Sequence, residues 1–331
     1  MTPEQCAQTA SAIADQIGKV IVGQRALVAD VLHCLLAEGH ILVEGVPGLG
    51  KTMLLKTLAE TLSVPWSRIQ FTPDLMPADI VGTQILHQGA DGSRDLRFRP
   101  GPITANLVLA DEVNRATPKT QAAMLEAMQE RAVTVAGETR PLPRPFMVMA
   151  TQNPVEMEGT YPLPEAQLDR FLLKALVPFP SADELVTVIE RTTGADAPSP
   201  TQVCDADTLR TMVALTREVP VPDHVVRHAV DLVIATHPDA ESAPDPVRRY
   251  VRFGASPRGV QALILTGKAR AVLDGRPSVS IDDVRSAAPA ALRHRLVVGY
   301  EATAEGTSPD AVLGAVLQAV PEPASGIRGA P

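Results

Sequence analysis

The sequence is poor in the residues that mark several large classes of protein. Its 331 residues include only 3 cysteines, Cys6, Cys34 and Cys204, which are too few and too scattered for a disulfide framework or a zinc site. No apolar run reaches the roughly 18 residues that a membrane-spanning helix needs. The first residues lack both the basic and the apolar stretch of a signal peptide. These absences predict a cytoplasmic protein that does not insert into a membrane.

Positive charge and aromatic side chains are also scarce. Lysine and arginine number 30 against 38 acidic residues, which gives a formal net charge of −8, and aromatic residues make up 3% of the chain. Non-specific nucleic-acid binding needs a basic face, and single strands are bound by stacking on aromatic rings. Nucleic acid is therefore not an expected partner, although the totals leave room for a local basic patch.

What the sequence does contain is a phosphate-binding loop pattern. Residues Gly45 to Thr52 match G-x-x-x-x-G-K-[ST] at every fixed position. The glycines let backbone N–H groups converge on phosphate oxygens, Lys51 adds a charge for the β- and γ-phosphates, and the Thr52 hydroxyl can ligate Mg²⁺. Residues 40–44 predict a buried strand and residues 51–62 a helix, which is the context that the motif needs. An ordinary glycine-rich turn is the simpler alternative.

Two further predicted strands end in polar residues. Residues 106–110, which are apolar after Asn106, precede Asp111 and Glu112, while residues 146–150 precede a polar run that contains Asn153. Ligands bind at the carboxyl ends of strands in open α/β sheets. We expect Asp111 to hold Mg²⁺ through water, Glu112 to activate the attacking water and Asn153 to orient it. A solvated acidic turn and an asparagine that starts a turn are the alternatives.

The pattern of the chain changes after residue 178. Before it, strands alternate with helices, which predicts an α/β domain with a parallel sheet over residues 1–178. Two hairpins interrupt this domain near 84–102, with a turn at 89–92, and near 131–145, with Gly137-Glu138 at its tip. Helical patterns dominate residues 181–320 and predict an all-helical domain. The last residues, 321–331, are predicted to be disordered.

Together these features resemble AAA+ ATPases and, more specifically, the MoxR family. The resemblance covers nearly the whole chain. It rests on runs that read Val-Gly-Gln at 22–24, Gly-His-Ile-Leu-Val-Glu-Gly-Val-Pro-Gly-Leu-Gly-Lys-Thr at 39–52, Phe-Arg-Pro-Gly-Pro-Ile at 98–103, Ala-Asp-Glu-Val-Asn-Arg-Ala at 110–116, Leu-Glu-Ala-Met-Gln-Glu at 125–130, Ala-Thr-Gln-Asn-Pro at 150–154 and Leu-Pro-Glu-Ala-Gln-Leu-Asp-Arg-Phe at 163–171. It implies an AAA+ P-loop core followed by a helical lid.

The resemblance also implies a set of residues that bind ATP and Mg²⁺. The segment from Val22 to Gln24 would pack near the adenine, and Thr52 and Asp111 would serve the metal. The implied nucleotide-binding residues are Val22, Gly23, Gln24, Gly45, Val46, Pro47, Gly48, Leu49, Gly50, Lys51, Thr52, Met53 and Asp111.

Further catalytic roles follow from the same resemblance. Asn153 would be the sensor-1 residue beside Glu112. Arg170 would be an arginine finger that reaches the γ-phosphate in a neighbouring subunit, and Arg258 would be the sensor-2 arginine of the lid. Whether Arg258 acts on its own or a neighbour's nucleotide stays open. A surface ion pair of Arg170 with Asp169 or Glu165 and a solvated helix end at Arg258 are the plain alternatives.

The implied protein is a Mg²⁺-dependent ATPase that forms a ring, usually a hexamer. It would act like a chaperone in the maturation or metal-cofactor insertion of other proteins, often with a von Willebrand factor A-domain partner. The first hairpin carries Arg94, Arg97 and Arg99, which could contact an acidic partner or nucleic acid, although a solvated hairpin fits as well. Ile80-Val81-Gly82 lacks the aromatic residue of protein-threading ATPases, which disfavours processive unfolding.

Three rival functions remain. One is the ATPase subunit of a magnesium-chelatase-like enzyme, another is a nucleic-acid-dependent motor, and a third is a scaffold that binds nucleotide without turnover. Two smaller patterns carry less weight. His224 and His228 share a helix face, as metal ligands can, but no third ligand is apparent. The run Arg293-His294-Arg295 could bind an anion but is expected to be a solvated helix end.

Overall fold

The structure is a computed structural model that describes residues 1–88, 94–154, 159–194 and 198–322. The chain divides into two compact units. One contains residues 9–171 and 175–213, and the other contains residues 1–8 and 172–174 together with the chain from Ala214 onward. The predicted turn at 89–92 and most of the predicted tail, residues 323–331, lie outside the described residues. No helix in the described ranges is long and apolar enough to cross a membrane.

Helices and strands alternate through the first half of the chain and helices dominate the second. The helices are α1 Pro3–Val20, α2 Arg25–Leu36, α3 Lys51–Leu62, α4 Pro77–Val81, α5 Pro118–Glu130, α6 Glu165–Leu168, α7 Ala182–Thr193, α8 Ala206–Glu218, α9 Asp223–Ile234, α10 Asp245–Tyr250, α11 Pro257–Leu273, α12 Ile281–Leu292, α13 Tyr300–Ala304 and α14 Pro309–Ala319. The strands are β1 Ile41–Glu44, β2 Trp66–Gln70, β3 Gly82–Gln88, β4 Arg94–Pro100, β5 Leu107–Asp111, β6 Ala132–Val135, β7 Glu138–Pro141, β8 Met147–Gln152, β9 Leu173–Leu176, β10 Val251–Phe253 and β11 Val297–Val298.

The central sheet has five strands in the order β2-β5-β8-β1-β9. The pairs β2–β5, β5–β8 and β1–β8 are all parallel. Strands of a parallel sheet are covered by helices on both faces, so they consist of continuous apolar runs rather than alternating ones. The first three residues of β1 and the first four of β5 are fully buried, as this rule requires. The predicted parallel α/β sheet is confirmed.

Helices α3 and α5 supply much of the cover for this sheet. The predicted apolar face of α3, which carries Leu54, Leu55, Leu58 and Leu62, is fully buried. On α5, Met124, Leu125 and Met128 join one core cluster with residues of β5 and β8. Each such side chain contributes about 1.5–3 kcal/mol through burial. The packed core therefore holds the strands of the sheet in place, and with them the positions of the strand ends.

Two antiparallel hairpins belong to the unit that contains the central sheet. Strands β3 and β4 pair from Gly82 with Pro100 to Gln88 with Arg94, and β6 pairs with β7. The turn of the second hairpin is Ala136-Gly137, both with positive φ, so it lies one residue earlier than predicted. In the first hairpin, Arg97 bonds Asp95 of its own strand at 2.8 Å.

The unit that includes Ala214 onward is helical, with one addition to the prediction. Helix α11 packs against α9 and α12, and α14 packs against α10 and α12. Strands β10 and β11 form a small antiparallel pair, so the predicted all-helical domain is wrong in this detail. Strands of two or three residues are too short to show any periodicity in the sequence.

A buried histidine links three elements of the sheet unit. The ring of His40, just before β1, accepts a hydrogen bond at Nδ1 from the Val148 N–H at 3.0 Å. Its Nε2 therefore carries the proton and donates to the Met128 carbonyl oxygen at 3.2 Å. The ring also meets Phe146 edge-on. Burial lowers the pKa of His40 from 6.5 to about 4, because a charged ring would lose its hydration.

This histidine predicts a pH dependence of stability. Between its unfolded pKa of 6.5 and its folded pKa of about 4, the unfolded chain binds a proton that the folded chain does not. The stability that His40 contributes is therefore complete above pH 6.5 and is lost as the pH falls. The loss is about 2 kcal/mol between pH 7.5 and pH 5. Urea unfolding of the wild type and of His40→Gln at the two pH values isolates this term. An equal loss in both proteins would contradict it.

Candidate functional site

The candidate site begins where β1 runs into α3. The connecting loop, Gly45 to Gly50, contains two glycines in the left-handed region, Gly48 with φ 83° and Gly50 with φ 75°. Glycine adopts this conformation without the steric cost that a side chain would bring. Gly50 is the N-cap of α3, and the first N–H groups of a helix have no partner within it. The local sequence thus builds an anion-binding helix start.

A cavity of about 410 Å³ opens beside this loop. It lies where β1, β5 and β8 end, and its size falls within the range of about 300–1,000 Å³ that is typical of small-molecule sites. Its lining residues are Gly45, Pro47, Gly48, Leu49, Gly50, Lys51, Thr52, Met53, Lys56, Arg68, Asp111, Glu112, Thr151, Gln152 and Asn153. The structure therefore brings the predicted loop, both predicted acids and the predicted asparagine to one place.

The two acids are fixed by one buried hydroxyl. Thr151, at the end of β8, donates from Oγ1 to Asp111 Oδ1 at 2.7 Å. The same oxygen accepts a hydrogen bond from the Glu112 N–H at 2.9 Å. Glu112 has φ 57°, a left-handed conformation that costs a residue with a side chain roughly 1–3 kcal/mol. The bond from Thr151 helps to hold this conformation and so aims the two carboxylates.

A chain of charged and polar side chains crosses the mouth of the site. Arg68 donates to Asp111 Oδ2 from Nη2 at 2.6 Å and from Nε at 3.2 Å. Its Nη2 also donates to Gln70 Oε1 at 2.7 Å. Gln70 in turn donates to Glu112 Oε2 at 2.8 Å, and Arg115 donates to the same oxygen at 3.0 Å.

These partners of the acids were missed in the sequence. Arg68 and Gln70 are two residues apart on β2, so they lie on the same face of the strand. They reach the acids only because β2 lies next to β5, with Gln70 in register with Asp111. Two polar residues spaced two apart at the end of a strand, Arg68 and Gln70, are a signal that the sequence contains. The order of the strands, which places this pair beside the acids, cannot be read from the sequence.

Lys51 lies over the loop that it follows. Its Nζ donates to the Gly45 carbonyl oxygen at 2.6 Å. Partial burial lowers the pKa of Lys51, while the nearby carboxylates of Asp111, Glu112 and Glu44 act in the opposite direction. The ammonium group is thus partly desolvated beside the loop amides, where a phosphate group would gain most from its charge.

The segment predicted to lie near the adenine contacts the loop. Gln24 Nε2 donates to the Leu49 carbonyl oxygen at 2.7 Å. Gly23 has φ 65°, and a Cβ added there would lie 2.2 Å from Glu184 Oε1. The segment is therefore fixed to the phosphate loop at one end and close to α7 at the other. Val46 belongs to the loop but does not line the cavity.

Other predicted residues lie elsewhere. Arg170 follows α6, is half-buried and is not among the residues that line the cavity. Arg258 is the second residue of α11, and its N–H donates to Oγ of the N-cap residue Ser256 at 3.2 Å. The described residues hold no group of three histidine, cysteine or acidic side chains that could bind a metal, so the pair at 224 and 228 stays a weak candidate. His228 instead lies beside Arg285, with 3.5 Å between His228 Nε2 and Arg285 Nη1.

The predicted solvated helix end at residues 293–295 is wrong. Arg293 is largely buried and bonds Asp310 through Nε at 2.9 Å and Nη2 at 3.1 Å. Arg295 is 7% exposed. These arginines are part of the interior of the helical unit. The Asp310 carboxylate pairs with Arg293 and takes the place of the bound anion that the sequence suggested.

The donor set of the cavity fits a magnesium nucleotide. Mg²⁺ prefers oxygen ligands, and Thr52 and Asp111 offer a hydroxyl and a carboxylate beside the loop. The loop amides and Lys51 offer positive charge to phosphate groups. When bound, the metal would neutralise phosphate charge.

Removing the hydroxyl of Thr151 tests this description of the acids. Thr151→Val keeps the side-chain shape but leaves the Glu112 N–H and one Asp111 oxygen without their partner, so we expect a loss of about 1–3 kcal/mol in the free energy of unfolding. Thr61→Val is the matched control, because Thr61 is also fully buried but its hydroxyl donates only to the Thr57 carbonyl oxygen of its own helix. Urea unfolding compares the two. Equal losses in both variants would show that Thr151 has no special role.

Comparison with known proteins agrees with this geometry. Residues 40–173 match the family model of the ATPase family associated with various cellular activities (AAA), and residues 246–316 match the AAA lid domain. A putative ATPase of known structure from Cytophaga hutchinsonii superimposes with a TM-score of 0.91 at 37% identity, over 97% of both chains. The AAA+ fold, a parallel sheet flanked by helices with a helical lid, is thereby confirmed.

Similarity to curated proteins shows which family of AAA+ ATPases the chain belongs to. The chain is 44% identical over 308 residues to Chaperone MoxR1 of Mycobacterium tuberculosis. This alignment covers 93% of this chain and 81% of that protein. It is 43% identical to the uncharacterized protein YeaC of Bacillus subtilis and 30% identical to Protein MoxR of Methylorubrum extorquens, over 93% of the chains in each case. The chain therefore belongs to the MoxR family of AAA+ ATPases.

Proposed function

We propose that this protein hydrolyses ATP with the help of Mg²⁺ in the cavity beside residues 45–52. The observation that carries the proposal is the convergence of Lys51, Thr52, Glu112 and Asn153 on that one cavity. A lysine at the phosphates, a hydroxyl for the metal, an acid for the water and an amide to orient it are the parts that phosphoryl transfer to water requires.

Each residue then has a separate task. The loop amides and Lys51 bind the β- and γ-phosphates, and Thr52 and Asp111 hold the metal. Glu112 accepts the proton of the attacking water, and Asn153, which is 8% exposed at the end of β8, orients that water. Val22 to Gln24 binds the adenine, which the bond from Gln24 to the loop supports.

The proposed site is completed by a second copy of the chain. Arg170 acts as the arginine finger of a neighbouring subunit, and Arg258 acts as the lid sensor. The position of Arg170 outside the lining of its own cavity supports a role in trans. The proposed assembly is a homo-oligomeric ring, usually a hexamer in this family. An isolated subunit would then be a poor catalyst, because loss of an arginine finger costs roughly 10³–10⁵ in rate.

The proposed biological role is that of a cytoplasmic, chaperone-like ATPase. One relative is named a chaperone and others are named MoxR, which supports this reading. ATP turnover would drive the maturation, assembly or metal-cofactor loading of a client protein, together with a von Willebrand factor A-domain partner.

Replacing the proposed base separates catalysis from binding. We expect Glu112→Gln to bind ATP but to lose about 10²–10⁴ in turnover, because the amide cannot accept the proton. Lys51→Ala should lose binding itself. Glu126→Gln, an exposed acid on α5, is the matched control and should turn over like the wild type. Calorimetric binding and phosphate release give the two readouts. Turnover that survives in Glu112→Gln would refute the assignment of the base.

Mixing two inactive variants tests the role of Arg170 in trans. A Lys51→Ala subunit lacks a working site but still offers its arginine, while an Arg170→Ala subunit has a site but lacks the finger. Mixed assemblies should therefore recover part of the phosphate release that neither variant shows alone. Fluorescent labelling must show that the subunits exchange. Exchange without recovery would contradict a finger that acts between subunits.

A further inference from the structure

Arg68 is a charged residue of the cavity to which the proposed function gives no task. It lines the cavity, and its side chain is 47% exposed whereas that of Asp111 is 16% exposed. Both of its bonds to Asp111 end on Oδ2, and Oδ1 is taken by Thr151. A carboxylate has about four acceptor positions, so three of the four on Asp111 are already in use.

A cation that approaches Asp111 therefore meets a competitor. The guanidinium cannot give up its charge, since arginine stays protonated in proteins. A metal ion and a guanidinium repel each other at the same oxygen, so the arginine must move before the metal or its bound water can use Oδ2. The cost of moving it is modest, because partly exposed ion pairs shift an equilibrium by about two- to fivefold.

The displaced guanidinium stays beside the phosphate-binding loop. Arg68 and the loop residues line the same cavity. The planar fork of an arginine matches the oxygens of a phosphate group, so the residue can supply positive charge to a nucleotide that arrives without metal. Arg68 thus weakens the binding of the metal and strengthens metal-free binding of the nucleotide, and both effects reduce the dependence on magnesium.

We propose that Arg68 is a positioning residue that competes with Mg²⁺ for the Asp111 carboxylate and so sets how strongly nucleotide binding depends on magnesium. This inference rests on the proposed function, because it takes the cavity as the nucleotide site. The two can fail separately: a wild type that binds no nucleotide refutes the proposed function, whereas the inference is refuted only by the behaviour of the variants.

The test measures the affinity for a fluorescent, non-hydrolysable ATP analogue in excess Mg²⁺ and in EDTA. The quantity of interest is the ratio of the dissociation constant in EDTA to that in Mg²⁺. We expect this ratio to rise about two- to fivefold in Arg68→Ala and in Arg68→Gln, which is the factor that such an ion pair is worth. Arg68→Lys keeps the charge but lacks the planar fork, so its ratio should lie between that of the wild type and that of the uncharged variants.

Arg115→Ala is the matched control. It removes the same charge from beside the neighbouring acid, Glu112, and Arg115 does not line the cavity. Its ratio should equal that of the wild type. An unchanged or lower ratio in both Arg68→Ala and Arg68→Gln would refute the proposal, and so would an equal rise in Arg115→Ala. Thermal unfolding shows that the compared variants are folded, and the two uncharged substitutions give independent measurements.

Discussion

The site depends on one buried hydroxyl at the edge of a parallel sheet. Thr151, the second-last residue of β8, bonds the carboxylate of Asp111, which ends the neighbouring strand β5, and the N–H of Glu112, which follows it. Without this link, the two carboxylates would be held only by Arg68, Gln70 and Arg115 at the mouth of the site. The strand order places them there, the apolar core holds the strands, and the hydroxyl fixes the Asp111 carboxylate and the Glu112 backbone.

The surrounding charges follow from that arrangement. Two carboxylates at one edge attract cations, and the structure supplies Arg68 on Asp111 and Arg115 on Glu112. Gln70 connects the two pairs by accepting from Arg68 and donating to Glu112. The proposed metal ligand, Asp111, and the proposed base, Glu112, thus belong to one hydrogen-bonded chain. The proposed finger, Arg170 of a second copy of the chain, would approach this group of charged side chains.

Local features of the sequence predicted most of this molecule. The loop at 45–52, the apolar strands and the buried face of α3 each follow from residues close together in the chain, and so does the placement of Asp111 and Asn153 at strand ends. The partners of the acids could not be predicted in the same way. Thr151 lies 39 residues from Glu112, and Arg68 lies 43 residues from Asp111, so their contacts depend on the strand order. Arg293 was misjudged for a similar reason, since Asp310 reaches it from another helix.

The most direct test of the account is a crystal structure of the protein with Mg²⁺ and a non-hydrolysable ATP analogue. The account predicts that the β- and γ-phosphates contact the amides of residues 48–52 and the Lys51 ammonium, with the metal beside Thr52 and Asp111. It also predicts that the Arg68 guanidinium has left Asp111 Oδ2. A nucleotide bound outside this cavity, or a metal held without Thr52 and Asp111, would contradict the central claim.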